Sequence, residues 1–211
     1  MNFIGLNELN FDIVRLYLNH SELPHLKKLL AESDFLETES ENEYKNLEPW
    51  IQWYSVYSSK LFREHGVFRL GDREEAGSRG TKESLFAKIN SRGYRVGSIS
   101  MMNLYKEDGV FDFFIPDPWI TSSTDGSFWS KIIASAIHQA VNDNASNKVT
   151  LKTIVILAAS FFRFVSLKSY WFLIRLAFRS IRNPWLKVCF FDVFLSEVYL
   201  GYRKVFKGTD V

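Results

Sequence analysis

The sequence is poor in the features that mark secreted, metal-binding or membrane-spanning proteins. Its single cysteine, Cys189, excludes an internal disulfide framework. No basic segment precedes an apolar stretch at the N-terminus, so no secretory signal is predicted and the cytoplasm is the expected compartment. Charged side chains such as Arg163 and Lys168 interrupt the longest apolar run, which falls short of the roughly 20 residues that span a bilayer.

The common sequence signatures of metal and phosphate sites are also missing. No two of the four histidines, His20, His25, His65 and His138, have the i, i+4 spacing of ligands on one helix. The glycine-rich stretch at 71–80, GDREEAGSRG, lacks the spacing of phosphate-binding loops. We therefore interpret it as a surface loop.

Charge is distributed unevenly along the chain. Residues 1–145 contain 15 Lys and Arg against 21 Asp and Glu, whereas residues 146–211 contain 11 against 3. We interpret 1–145 as an α/β core and 146–211 as a basic, aromatic helical segment of the same domain. Such a segment can face the acidic core, a missing C-terminal half or partner chain, or an anionic membrane surface. Nucleic acid is not an expected partner.

Hydrophobic periodicity predicts alternating strands and helices followed by helices alone. The apolar runs at 2–6 and 110–115 are predicted strands, and residues 35–38 and 94–100 are predicted to form two further short strands. Predicted helices are residues 11–18, 23–30, 49–57, 81–90, 127–142, two within 151–178 that break near Ser166, and 185–206. The pattern indicates a parallel-sheet α/β fold with a helical C-terminal part.

Several segments within residues 2–120 carry recognisable patterns. They are FIGLNELNFDIV at 3–14, LPHLKKLL at 23–30, EPWIQWYSVYSSKLFREHGVF at 48–68, YRVGSISMMN at 94–103 and FFIPDPW at 113–119. Together they resemble the alkaline phosphatase superfamily, specifically its type I phosphodiesterase and nucleotide pyrophosphatase branch. The resemblance implies part of an alkaline-phosphatase-like, doubly wound parallel sheet.

The same resemblance implies hydrolysis of a phosphate ester with two divalent metals, zinc or manganese, and a Thr or Ser nucleophile. On that pattern, Asn7 and Glu8 stand at the first metal-ligand position. The catalytic candidates are Glu48, at the nucleophile position, together with Ser55 and His65. Asp117 is a candidate for substrate binding because it follows a predicted strand at its carboxyl end.

The sequence departs from the family pattern at three points. Asn7 and Glu8 replace the usual Asp-Gly, Glu48 is followed by proline and offers no hydroxyl, and no Asp-His-Gly segment follows. Each of these residues can instead have a structural role. Ser55 aligns with packing positions of the family, and the family equivalent of His65 mostly holds a loop. A carboxylate such as Asp117 commonly caps a helix. We expect a phosphodiesterase-like protein that is incomplete or inactive as this chain. The alternative is a binding module whose basic aromatic helices act on an anionic membrane surface or a partner protein.

Overall fold

The computed structural model describes residues 3–6, 9–20, 22–41, 43, 45, 47–70, 84–120, 122–142 and 150–205. In chain order its elements are α1 (Phe11–Asn19), α2 (Pro24–Ala31), α3 (Pro49–Ser58), α4 (Phe62–His65), α5 (Leu85–Ser91), β1 (Gly97–Ile99), β2 (Phe113–Ile115), α6 (Phe128–Asn142), α7 (Leu151–Phe164), α8 (Leu167–Arg182) and α9 (Trp185–Val205). The described chain is mostly helical, with a helical C-terminal part and a small parallel sheet.

The sheet pairs β1 with β2 in parallel, with Ser98 opposite Phe114. Backbone hydrogen bonds from Ser100 to Ile115 and from Asp112 to Val96, each 2.8 Å, extend the ladder at its two ends. The connection between the strands runs over residues 100–112. A crossover of about this length is what a parallel pair requires. The predicted strands at 94–100 and 110–115 are therefore confirmed, in shorter form.

The larger doubly wound sheet is not seen among the described residues. The strands predicted at 2–6 and 35–38 are wrong where the structure describes them, because residues 3–6 and 35–38 form no strand. Ile4 and Leu36 are largely exposed. An apolar run becomes a strand only where a neighbouring strand takes up its backbone hydrogen bonds, and no described strand lies beside either run.

Helix boundaries follow local capping chemistry closely. The Asn10 side chain accepts hydrogen bonds from the N–H groups of Asp12 and Ile13 at 2.9 and 3.1 Å and begins α1. Ser166 caps α8 directly after α7 ends, which confirms the predicted break. Ser84 caps α5 through the N–H of Ala87. The predicted start of that helix at residue 81 lies outside the described residues.

Adjacent residues of β2 enter two different hydrophobic clusters. Phe114 packs in a first cluster with Tyr57, Phe86 and Phe111. Ile115 packs in a second cluster with residues of α6, α8 and α9 and with Val165 of the break between α7 and α8. Its other buried members are Ile133, Val165, Leu173, Phe194 and Val198. Because successive strand residues point to opposite faces, the sheet lies between the two clusters. Within the part of the chain that the structure describes, no helix is long and apolar enough to cross a membrane.

Candidate functional site

Ser55 and His65 lie in contact. Ser55 is on α3, His65 ends α4, and Ser55 Oγ is 3.0 Å from His65 Nε2. The His65 side chain is only 1% exposed and packs beside the rings of Tyr54 and Phe62. Gly66 follows in the left-handed conformation, with φ of 65°, and turns the chain back over the imidazole. Glycine adopts this conformation without the cost that a Cβ imposes.

The backbone determines which nitrogen of His65 carries the proton. The N–H of Val67 donates to Nδ1 at 3.0 Å, so Nδ1 presents its lone pair and the neutral ring carries its proton on Nε2. Nε2 therefore donates to Ser55 Oγ, and the Ser55 hydroxyl donates in turn to the carbonyl of Ile51 at 3.2 Å. Burial lowers the pKa of His65, against the opposing effect of Glu41 and Glu64. The ring consequently favours the neutral form.

Glu48 does not join this pair. It is exposed at the N-cap position of α3, where its carbonyl accepts from the N–H groups of Ile51 and Gln52 and its side chain makes no capping bond. Glu48 precedes Ser55 by seven residues, which is about 10 Å along a helix axis. The structure thus brings together only two of the three catalytic candidates.

Asp117 lies at the carboxyl end of β2, as the sequence predicts, and is 2% exposed. Its two oxygens accept from the N–H groups of Asn103 at 3.2 Å and Trp119 at 2.8 Å. Asn103 follows β1 in the left-handed conformation, and its side-chain amide donates to the carbonyl of Trp50 at 3.3 Å. Asp117 therefore joins the loops after both strands. Burial raises the pKa of Asp117, and the two N–H groups act in the opposite direction.

The two metal-ligand candidates, Asn7 and Glu8, lie outside the described residues. Among the residues that are described, no group of three or more His, Cys, Asp and Glu side chains is placed to hold a metal ion. The implied zinc or manganese site therefore has no geometric support within the described ranges.

The sequence interpretation missed an open cavity of about 430 Å³ beside α6. Its lining comes from the loop after β2, from α6 and from Tyr199 of α9. One sequence signal points to it: Lys131, Ser135 and His138 follow one another at i, i+4 and i+7 and so share one face of α6. All three line the cavity.

The outer face of α8 is a second candidate functional feature, because it exposes both apolar and cationic residues. Its apolar residues Leu167, Trp171, Phe178 and Ile181 are all more than two-thirds exposed. Beside them on the helix lie the exposed cations Lys168, Arg175, Arg179 and Arg182. No ion pair joins any of these cations to another described residue, and α8 contains no Asp or Glu. We call these eight residues the α8 face.

No family model, no curated protein and no solved structure matches this chain.

Proposed function

We propose that this chain is a phosphodiesterase-like protein that does not hydrolyse phosphate esters by itself. The observation that carries the proposal is the hydrogen bond from His65 Nε2 to Ser55 Oγ, in which the imidazole is the donor. The doubly wound, alkaline-phosphatase-like sheet remains part of the proposal, with β1 and β2 as two of its strands. A missing C-terminal half or a partner chain would supply the remainder.

A hydroxyl attacks phosphorus only after a base or a metal has taken its proton. The Ser55 proton points to the Ile51 carbonyl, and its oxygen already accepts from His65. For His65 to serve as the base, its proton would have to move to Nδ1, which would leave the Val67 N–H unpaired. A buried, unpaired N–H costs about 1–3 kcal/mol. The pair therefore stabilises the contact between α3 and the turn after α4.

The residue at the nucleophile position also supports a chain that does not hydrolyse phosphate esters. Glu48 places a carboxylate there instead of a hydroxyl, and an exposed carboxylate repels an anionic phosphate ester. Glu48 also lies apart from the Ser55–His65 pair. These two features support the part of the proposal in which the chain lacks an activated nucleophile.

We expect no turnover of bis-p-nitrophenyl phosphate when the purified chain is incubated with zinc or manganese. The release rate of p-nitrophenol should equal that of metal in buffer alone, and Ser55→Ala should leave it unchanged. Turnover that Glu8→Ala abolishes, while Glu22→Ala on the exposed surface leaves it intact, would show a working metal site and overturn the proposal.

The α8 face favours a second candidate function, binding to an anionic membrane surface. Helices that lie in the membrane interface combine aromatic and aliphatic residues on one side with Lys and Arg beside them. The exposed Trp171 and Phe178 next to Arg175, Arg179 and Arg182 have that arrangement. Each cation near an anionic surface contributes about 1 kcal/mol.

Flotation with vesicles tests this second candidate. We expect the chain to float with phosphatidylserine-containing vesicles at low salt and to be released at high salt. The double variant Arg175→Gln/Arg179→Gln should bind about 30-fold more weakly, since two cations contribute about 2 kcal/mol. The matched pair Lys27→Gln/Lys28→Gln, on the exposed surface of α2, should bind as the original chain does. Equal losses in both pairs, or binding that salt does not weaken, would argue against the α8 face.

A further inference from the structure

We infer that the cavity beside α6 binds a small organic anion, an apolar body that carries one phosphate or carboxylate group. The cavity does not include Ser55, His65 or Glu48. It does include Asp117, the predicted substrate-binding residue. The inference concerns binding without hydrolysis, so a lack of turnover leaves it standing, and a failure to bind leaves the assignment of the Ser55–His65 pair standing.

The cavity lies where parallel sheets commonly bind ligands, outside the carboxyl end of a strand. Ile115, the last residue of β2, lines it together with the following residues Pro116 and Asp117. A volume of about 430 Å³ falls within the roughly 300–1,000 Å³ of known small-molecule sites.

Hydrogen bonds hold the wall of the cavity in place. At one end of the loop after β2, Asp117 accepts from Asn103 and Trp119. At the other end, the N–H of Asp125 donates to the Phe114 carbonyl at 2.8 Å. The Asp125 carboxylate also pairs with Lys106 at 2.8 Å. Hydrogen bonds hold both ends of this loop in place. A ligand therefore binds with only a small entropic cost for ordering the loop.

A hydrogen bond also connects this loop to α6. His138 Nδ1 lies 2.7 Å from the carbonyl of Pro118, and because a carbonyl only accepts, Nδ1 is the donor. This bond turns the Nε2 edge of the ring away from Pro118. Tyr199 lines the cavity from α9. Burial raises the pKa of its phenol, against the opposing effect of a side-chain hydrogen bond with Ser100.

The lining combines an apolar wall with an exposed lysine. Ile115, Ile120 and Ile133 supply the apolar part. The Asp117 carboxylate is almost fully buried and already accepts two N–H groups. Lys131 is exposed and makes no ion pair with another described residue. Lys131 therefore supplies a positive charge at the exposed part of the lining, where it can pair with an anionic group. The apolar wall can pack against the body that carries that group.

Isothermal titration calorimetry with four probes tests the inference. Phenyl phosphate and benzoate combine an aromatic body with a phosphate or a carboxylate; phenol lacks the charge, and inorganic phosphate lacks the body. We expect at least one of the two aromatic anions to bind at least 10-fold more tightly than both phenol and inorganic phosphate. The aromatic anion that binds more tightly shows whether the cavity prefers a phosphate or a carboxylate.

Two variants and one control variant locate the binding. Lys131→Met should weaken it about 10-fold, whereas Lys152→Met, an exposed lysine on α7, should leave it unchanged. Ser135→Leu narrows the cavity from its exposed rim without removing the lysine and should weaken binding. Circular dichroism verifies that each variant is folded. Equal weakening by the two lysine variants, full binding by folded Ser135→Leu, or no binding of either aromatic anion by the original chain would overturn the inference.

Discussion

Asp117→Ala is expected to lower the free energy of unfolding by about 2–4 kcal/mol. The substitution removes the acceptor for the N–H groups of Asn103 and Trp119, of which the first bond is buried and the second partly buried. A buried donor left unpaired costs about 1–3 kcal/mol, and a partly buried one costs less because water can reach it. Relief from burying a carboxylate, whose pKa is raised, offsets part of that loss. Urea unfolding monitored by tryptophan fluorescence at pH 7 measures the difference.

Asp112 provides the matched control for this substitution. It lies just before β2, is exposed, and pairs with Arg95 at the surface. Exposed ion pairs contribute about 0–1 kcal/mol, so Asp112→Ala should cost far less than Asp117→Ala. Asp117→Asn keeps one acceptor oxygen and should fall between the two. Equal losses for Asp112→Ala and Asp117→Ala would show that Asp117 does not hold the two loops.

Gly97→Ala is expected to destabilise the protein by about 2–3 kcal/mol, since a methyl group forced into a packed core costs about 1–3 kcal/mol. A Cβ at Gly97 would overlap the ring of Phe113, its register partner on β2. The Phe113 ring is buried and has little room to move. Thermal or urea unfolding measures the loss.

A substitution at the neighbouring residue, Ser98, should have the opposite effect on stability. Ser98 is buried in the same strand, and its hydroxyl finds no hydrogen-bond partner among the described residues. Ser98→Ala removes that unpaired hydroxyl and should leave stability unchanged or raise it by about 1 kcal/mol. If Gly97→Ala proved as harmless as Ser98→Ala, the close approach of β1 to Phe113 would be contradicted.

The sequence predicts the helical C-terminal part well because its signals there are local. The apolar periodicity marks three successive helices, and a serine at residue 166 gives both the break and the cap. The strand at 113–115 is likewise a short apolar run, and the strand at 97–99, Gly-Ser-Ile, lies in the segment that begins after Gly93. Each of these elements follows from residues a few positions apart.

The features that the sequence does not predict depend on contacts between distant residues. Residues 3–6 have a strand-like composition but no described neighbour to pair with. The proton position on His65 depends on the turn that brings the Val67 N–H to Nδ1. The cavity depends on the packing of the loop after β2 against α6 and Tyr199. Hydrophobic periodicity contains none of this information.

The protonation of the His65 imidazole is the central test. Long-range ¹H–¹⁵N correlation spectra at pH 7, assigned with a His65→Gln variant, distinguish the protonated nitrogen from the one that bears a lone pair. We predict a neutral ring with the proton on Nε2, the state in which His65 donates to Ser55. A proton on Nδ1 with Nε2 unprotonated would make His65 a base for Ser55 and contradict the assignment of a non-catalytic pair.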